Sequence, residues 1–239
     1  MIKKIIGLIL GFSLILNYQL VVTYAAENPG HEEIEKIIEE VAAEKNIPAV
    51  ILKAIAWYES QYRQFDNDGN PFVSYGNTGI MQINKVHKSL DQNLLKNDIK
   101  YNIAAGADIL LGRFNAMGKT LPQIGDMNPQ ILENWYFALW GYNGWASKNN
   151  PNVNGDKTYQ EKIFQLIRTR YNQPVTSIPA SLLPKSGLPS SSLHMETPAP
   201  YHDMTPVLDH IPEVIDEPVI KEQRVNITTD SFVDSTIIP

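Results

Sequence analysis

Cysteine is absent from all 239 residues. That absence excludes disulfides, thiol nucleophiles, thiolate metal sites and a lipid-modified cysteine anchor. A folded domain here must be held by its apolar core alone, and roughly 150 residues are enough to build one. Excess positive charge is also missing. The formal net charge is −6, so the basic footprint that nucleic-acid binding requires is not present. The five histidines, His31, His87, His194, His202 and His210, show no metal-ligand spacing, and neither a Ser-His-Asp arrangement nor a glycine-rich phosphate loop can be drawn. Asp66-Asn67-Asp68-Gly69 has the look of a calcium loop, but the register puts Gln64 at the first ligand position and Tyr75 at the closing one, which an EF-hand does not allow. No metal and no cofactor is expected.

What is present begins with a targeting segment. Lys3 and Lys4 precede the apolar run Ile5 to Leu16, and Thr23-Tyr24-Ala25 offers small residues for a signal peptidase. Residues 1–25 are therefore read as a signal peptide. The run is short for a membrane span of about 20 residues, so a retained anchor is the weaker alternative. Beyond it no stretch is long and apolar enough to insert in a bilayer, and the mature protein is expected to be secreted, outside the cytoplasm. At the other end, ten of the sixteen prolines lie between Pro174 and Pro239. The same segment carries nine acids against Lys185, Lys221 and Arg224. Proline removes backbone donors and interrupts helices, so residues 174–239 read as a Pro-rich acidic tail, disordered or extended. A small β-type appendage through Pro218-Val219-Ile220 and Arg224 to Thr228 is the alternative.

Residues 26–173 read as one helical domain. Ile34, Ile37, Ile38 and Val41 recur at the spacing of an amphipathic helix, which Asn46-Ile47-Pro48 ends. A second helix runs through Ile51, Leu52 and Ile55 to Glu59. A third spans about 98–117, a fourth opens at Pro129 and carries Trp135, Tyr136, Phe137, Trp140 and Tyr142, and a fifth covers about 159–171. No convincing strand alternation precedes the tail. The fold class is all-α or nearly so.

Glu59 is the residue out of place. It follows Ile55 by four positions and Leu52 by seven, so it shares their inward-facing side at the end of a very apolar helix. Desolvation there favours the protonated carboxyl, and the partial negative charge of a helix C-terminus pushes the same way. Both raise the pKa, as a general acid working near neutrality requires.

Further along stand Gly79-Ile80-Met81-Gln82, then Asn102-Ile103-Ala104-Ala105-Gly106, then Gly141-Tyr142-Asn143-Gly144, and Tyr159 at the start of the last helix. Together with Glu59-Ser60 these motifs, in this order, resemble the lytic transglycosylases, whose lysozyme-like SLT catalytic domain is related to goose-type lysozymes. The resemblance covers roughly 34–171 and leaves the tail unexplained. Ile80 stands where the family has Leu, and Gly144 follows Asn143 with no residue between.

The resemblance implies a bacterial cell-wall enzyme whose partner is the glycan strand of peptidoglycan. It implies Glu59 as the sole general acid/base, cutting the MurNAc–GlcNAc β-1,4 bond with closure of a 1,6-anhydro ring. Ser60, Met81, Gln82, Tyr142, Asn143 and Tyr159 would line the glycan groove, and Asn102 would brace a helix start. Asp66 and Asp68 are the candidates for a second carboxylate, which would make the protein a lysozyme-type hydrolase instead. The sequence is also compatible with a non-catalytic peptidoglycan-binding protein, or with one that acts through its acidic tail. Protein partners are not legible.

Overall fold

The computed structural model describes residues 26–204. The expected signal peptide (1–25) and the candidate strands at 218–220 and 224–228 lie outside the described residues.

Helix α1 (His31–Lys45) buries Ile34, Ile38, Val41 and Ala42, with Ile37 partly covered at the edge of the stripe. It stops at Asn46, whose φ of 53° places it in the left-handed region that asparagine tolerates better than most residues. Pro48 then precedes α2 (Ala49–Ser60). Val50, Ile51, Leu52, Ala54, Ile55, Ala56 and Ser60 of α2 are all buried. A helix apolar on most of its circumference belongs in the centre of a domain, and α2 packs between α1 and the last helix.

A small antiparallel sheet follows: β1 (Val73–Ser74), β2 (Asn77–Thr78) and β3 (Ile83–Asn84), in that spatial order. Val73 faces Thr78, and Thr78 faces Ile83. Tyr75 and Gly76, with φ of 49° and 80°, join β1 to β2 in a two-residue turn of left-handed residues, the twist a tight hairpin needs. Two-residue strands are too short to show alternation, which is why the sequence gives no sign of them.

The helix expected over 98–117 forms over 99–114, and a short helix not expected from the sequence precedes it. Asp91 caps a short α3 (Gln92–Asn97), its Oδ1 accepting from the Asn93 and Leu94 amides at 2.8 and 3.1 Å. Asp98 caps α4 (Ile99–Phe114) by accepting from the Tyr101 amide at 2.9 Å. Each aspartate satisfies donors that a helix start leaves open. After β4 (Gln123–Ile124) the aromatic segment opens as a 3₁₀ turn, Leu132–Trp135, and continues as α5 (Tyr136–Tyr142). Every side chain from Trp135 to Trp140 is fully buried. Short α6 (Pro151–Asn154) leads to α7 (Tyr159–Thr169), which turns Tyr159, Ile163, Phe164 and Ile167 inward. None of the described helices is long and apolar enough to cross a membrane.

The chain from 174 to 204 corrects the reading of a disordered tail as far as Met204. It is extended, but packed as a strap on the helical domain. Val175, Ile178, Leu183 and Met195 join the core. Strand β5 (His194–Met195) pairs in parallel with β4, His194 against Gln123 and Met195 against Ile124. Near its end the strap also meets the domain's backbone, the Leu132 N–H donating to the His202 carbonyl at 3.1 Å and the Met204 N–H to the Gln130 carbonyl at 2.8 Å, and side chains of the domain hold it elsewhere. The amide of Asn150 donates to the carbonyls of Pro184 and Gly187 at 2.9 and 3.0 Å, and that of Asn152 to Ala180 at 2.7 Å. Glu133, with no solvent exposure, accepts from the backbone N–H of Thr176 at 2.7 Å and of His202 at 3.0 Å, and the His202 ring Nδ1 lies 2.7 Å away. Proline-rich sequence lacks periodicity of its own, so nothing in it reveals that partners elsewhere will order it.

Glu133→Ala should strip three bonds from the strap and leave buried donors unmet. We expect a loss of about 2–4 kcal/mol in urea unfolding; a loss below about 0.5 kcal/mol would show that this carboxylate does not hold the strap.

Candidate active site

Glu59 sits one residue before the end of α2, with its side chain turned across the domain towards α7. Tyr159, the first residue of α7 and only 3 % exposed, donates its hydroxyl to Glu59 Oε1 at 2.8 Å. The ring of Tyr142 stacks on that of Tyr159, centroids 6.1 Å apart, and Tyr58 meets Tyr159 edge-on at 5.2 Å. The carboxyl group is thus walled by aromatic rings and given one side-chain donor. Burial raises its pKa from 4.5 to about 7, while the Tyr159 hydrogen bond pulls the other way. Near neutrality, both its acid and its base forms are therefore well populated. Burial, and next the charge of Glu59, hold the phenols of Tyr142 and Tyr159 well above their usual range, so both remain donors.

The opposite wall is a loop whose backbone is gripped by buried amides. Gln64, fully buried, accepts from the Ile80 N–H at 3.0 Å and donates to the carbonyls of Leu95 and Lys96. Asn102, also fully buried, accepts from the Met81 N–H at 2.9 Å and donates to Thr78 and Leu95. Ser60 closes the set by donating to the Ile80 carbonyl at 2.8 Å. These side chains leave no space at Gly79, where an added Cβ would stand 2.3 Å from Asn102 Nδ2 and 2.5 Å from Gln64 Oε1. Its φ of +72° also favours glycine. One helical turn beyond Asn102, Gly106 makes room for Met81, whose side chain a Cβ there would meet at 2.8 Å. The Asn-x-x-x-Gly spacing therefore reflects one helix face pressed on one loop. Asn102 is structural, but it braces this loop and not a helix start.

Between the two walls lies a cleft of about 260 Å³, lined in part by Glu59, Gln82, Tyr142, Asn143 and Gly144. Gln82 is held there in the left-handed region at φ 48°, an uncommon state for a side-chain-bearing residue that the surrounding bonds enforce. Its N–H and its side-chain amide both donate to the Gly79 carbonyl, at 3.0 and 2.8 Å. Tyr142 donates to the Met81 carbonyl at 3.0 Å, tying the α5 wall to the loop. Gly144, directly after Asn143, takes φ +100°, a conformation glycine adopts freely at the end of α5.

Of the expected groove residues, Glu59, Gln82, Tyr142 and Asn143 meet in the cleft, and Tyr159 supports the carboxyl group from behind. Ser60 and Met81 do not line it. Ser60 is 2 % exposed and Met81 is fully buried; the first fixes the loop backbone and the second packs into α4. Sequence reasoning missed Asn77, Asn84 and His87, which line the cleft from the sheet side, with Asn84 donating to Asn77 at 2.6 Å. Only the polar Asn84 beside the apolar Ile80-Met81-Ile83 hinted at them. Asp66 spends its Oδ1 on the amides of Asp68 and Asn70, at 3.0 and 2.9 Å, within its own turn, and Asp68 is exposed. Among the described residues lining the cleft, Glu59 is the only carboxylic acid. No three His, Asp or Glu among the described residues gather as metal ligands.

A family model described as the transglycosylase SLT domain matches residues 36–165. The chain belongs to this family. The match takes in Glu59, the Gly79–Gln82 loop, Asn102, Tyr142 and Tyr159, and it ends before the strap. No curated protein matches the chain. Membership of the SLT family implies peptidoglycan as the substrate and a lytic-transglycosylase type of action outside the cytoplasm.

The raised pKa of Glu59 has a consequence for stability. Folding favours its protonated form, so that contribution is complete below pH 4.5 and is lost as the pH rises through about 7. Glu59→Gln, which does not titrate, should therefore match the wild type near pH 4.5 and exceed it by about 2–3 kcal/mol at pH 8. Equal stability of the two proteins at pH 8 would show that the carboxyl group is not desolvated.

Proposed function

We propose that this SLT-family protein is a peptidoglycan lytic transglycosylase that cuts the β-1,4 bond between N-acetylmuramic acid and N-acetylglucosamine. The observation that carries this reading is a single carboxyl group of raised pKa in a cleft whose described lining holds no second acid. Glu59 in its acid form protonates the glycosidic oxygen as the bond to the muramic anomeric carbon breaks. The resulting carboxylate then takes the proton of the muramic 6-hydroxyl as that oxygen attacks the same carbon, closing a 1,6-anhydro ring and restoring the acid. Water does not act as nucleophile, so no carboxylate is needed to activate it, unlike the two-carboxylate schemes of most glycosidases. The Tyr159 hydroxyl stabilises the carboxylate between the two transfers. Gln82 and Asn143 offer amides to sugar hydroxyls and N-acetyl groups, and Tyr142 offers an aromatic face. With residues 1–25 read as a signal peptide, the enzyme would act in the wall space.

Mass spectrometry of the products from purified peptidoglycan tests the reaction. Wild type should release anhydro-muramic ends, and Glu59→Gln should lose at least about 10²–10⁴-fold in rate. Reducing muramic ends would mean hydrolysis and would overturn the ring-closing step. The pH profile tests the residue: kcat/KM should fall above about pH 7, where Glu59 loses the proton it must donate. Tyr159→Phe removes the bond that lowers this pKa and should move the alkaline limb to higher pH; a limb that stays put would argue against that contact in the active enzyme.

A further inference from the structure

The cleft wall at Asn143–Gly144 leaves α5 as an irregular segment, and what holds it comes from farther along the chain. Asn149, 6 % exposed, donates from Nδ2 to the Gly144 carbonyl at 3.2 Å and to Asn143 Oδ1 at 3.4 Å. On its other side its carbonyl accepts from Nε2 of Gln160 at 2.7 Å, and Gln160, fully buried, is the neighbour of Tyr159. Asn149 thus bridges the end of α5 and the start of α7, the two elements that meet at Glu59. The next residue, Asn150, is fully buried and faces away. Its Oδ1 accepts from the Asn152 N–H at 2.8 Å, while its Nδ2 grips the carbonyls of Pro184 and Gly187. Those carbonyls belong to the strap, which lies beyond the matched family domain.

We propose that Asn149 is a positioning residue for the glycan-facing wall Asn143–Gly144, and that the strap, held by Asn150, sets where Asn149 stands. The proposal rests on the glycan-cleaving function argued above. It makes the strap (174–204) part of the working cleft and not an appendage to a finished domain. The Asn149 contacts reach the sugar-facing wall and not the Glu59 carboxyl group itself. Disturbing them should therefore weaken glycan binding more than the chemical step.

The test uses the full-length chain. Asn149→Ala removes the bridge. Asn150→Ser keeps a hydroxyl able to cap the Asn152 amide but removes the two bonds of Asn150 to Pro184 and Gly187, leaving those of Asn152 to the strap in place. KM and kcat are measured on purified peptidoglycan, and the affinity for chitohexaose is measured by calorimetry in the Glu59→Gln background. We expect Asn149→Ala to raise both KM and Kd roughly tenfold, and Asn150→Ser roughly threefold, with kcat and the alkaline limb almost unchanged. Val41→Ala on α1, destabilising but remote, should lower the melting temperature without moving KM. Asn149→Ala and Asn150→Ser affinities within twofold of the parent would overturn the proposal, as would an equal rise in KM for Val41→Ala. Wild type that releases no products while Asn149→Ala still weakens chitohexaose binding would defeat the enzymatic reading alone. No chitohexaose binding in the Glu59→Gln background together with an unchanged KM for Asn149→Ala on peptidoglycan would overturn the proposal, while anhydro-muramic products from the wild type would leave the enzymatic reading standing.

Discussion

A carboxyl group at the end of an apolar helix is unfavourable when charged unless something nearby compensates, and most of the site follows from how little compensation Glu59 receives. Tyr159 supplies one hydroxyl. Around it stand aromatic rings, and the two influences on its pKa are burial and the Tyr159 hydrogen bond, with no cation among them. A stronger partner such as an arginine would hold the group ionised and disable it as an acid. A drier pocket with no donor would leave its carboxylate unstable between proton transfers. The structure sits between these limits.

That balance requires walls that do not relax, and here they are built from backbone held by buried amides. Gln64 and Asn102 each use both ends of the side chain, accepting from a loop amide and donating to carbonyls at the α3 end, with Asn102 donating to β2 as well. A fully satisfied buried network of this kind fixes one arrangement, because any shift leaves polar groups without partners. It also explains why two glycines stand where they do. Gly79 and Gly106 lie where a Cβ would strike Asn102 or Met81, so their role is close approach more than flexibility.

Helical periodicity made the domain legible, since Ile34, Ile38 and Val41, and likewise Leu52, Ile55 and Glu59, are placed by spacing that tertiary packing then respects. Glu59 could be singled out for the same reason: a carboxylate in register with an apolar stripe conflicts with its surroundings, and such conflicts mark function. Ser60 and Met81 were misplaced because adjacency in sequence is not adjacency in the cleft. On a helix and in a tight loop, neighbouring side chains point to different sides, here into the protein. Asn77, Asn84 and His87 were missed because strands of two residues leave no pattern. The strap was misread because its order comes from the core, from β4 and from Glu133, Asn150 and Asn152, which its own sequence does not show.

The proposed chemistry turns on one carboxyl group being uncharged at near-neutral pH in the folded protein. A carbon-13 NMR titration of the Glu59 side-chain carboxyl observes this directly, without substrate. We predict a midpoint near pH 7, clearly separated from the other glutamates. A midpoint near 4.5, the ordinary value for glutamate, would contradict that chemistry, because Glu59 would then be ionised at neutral pH with no proton to give.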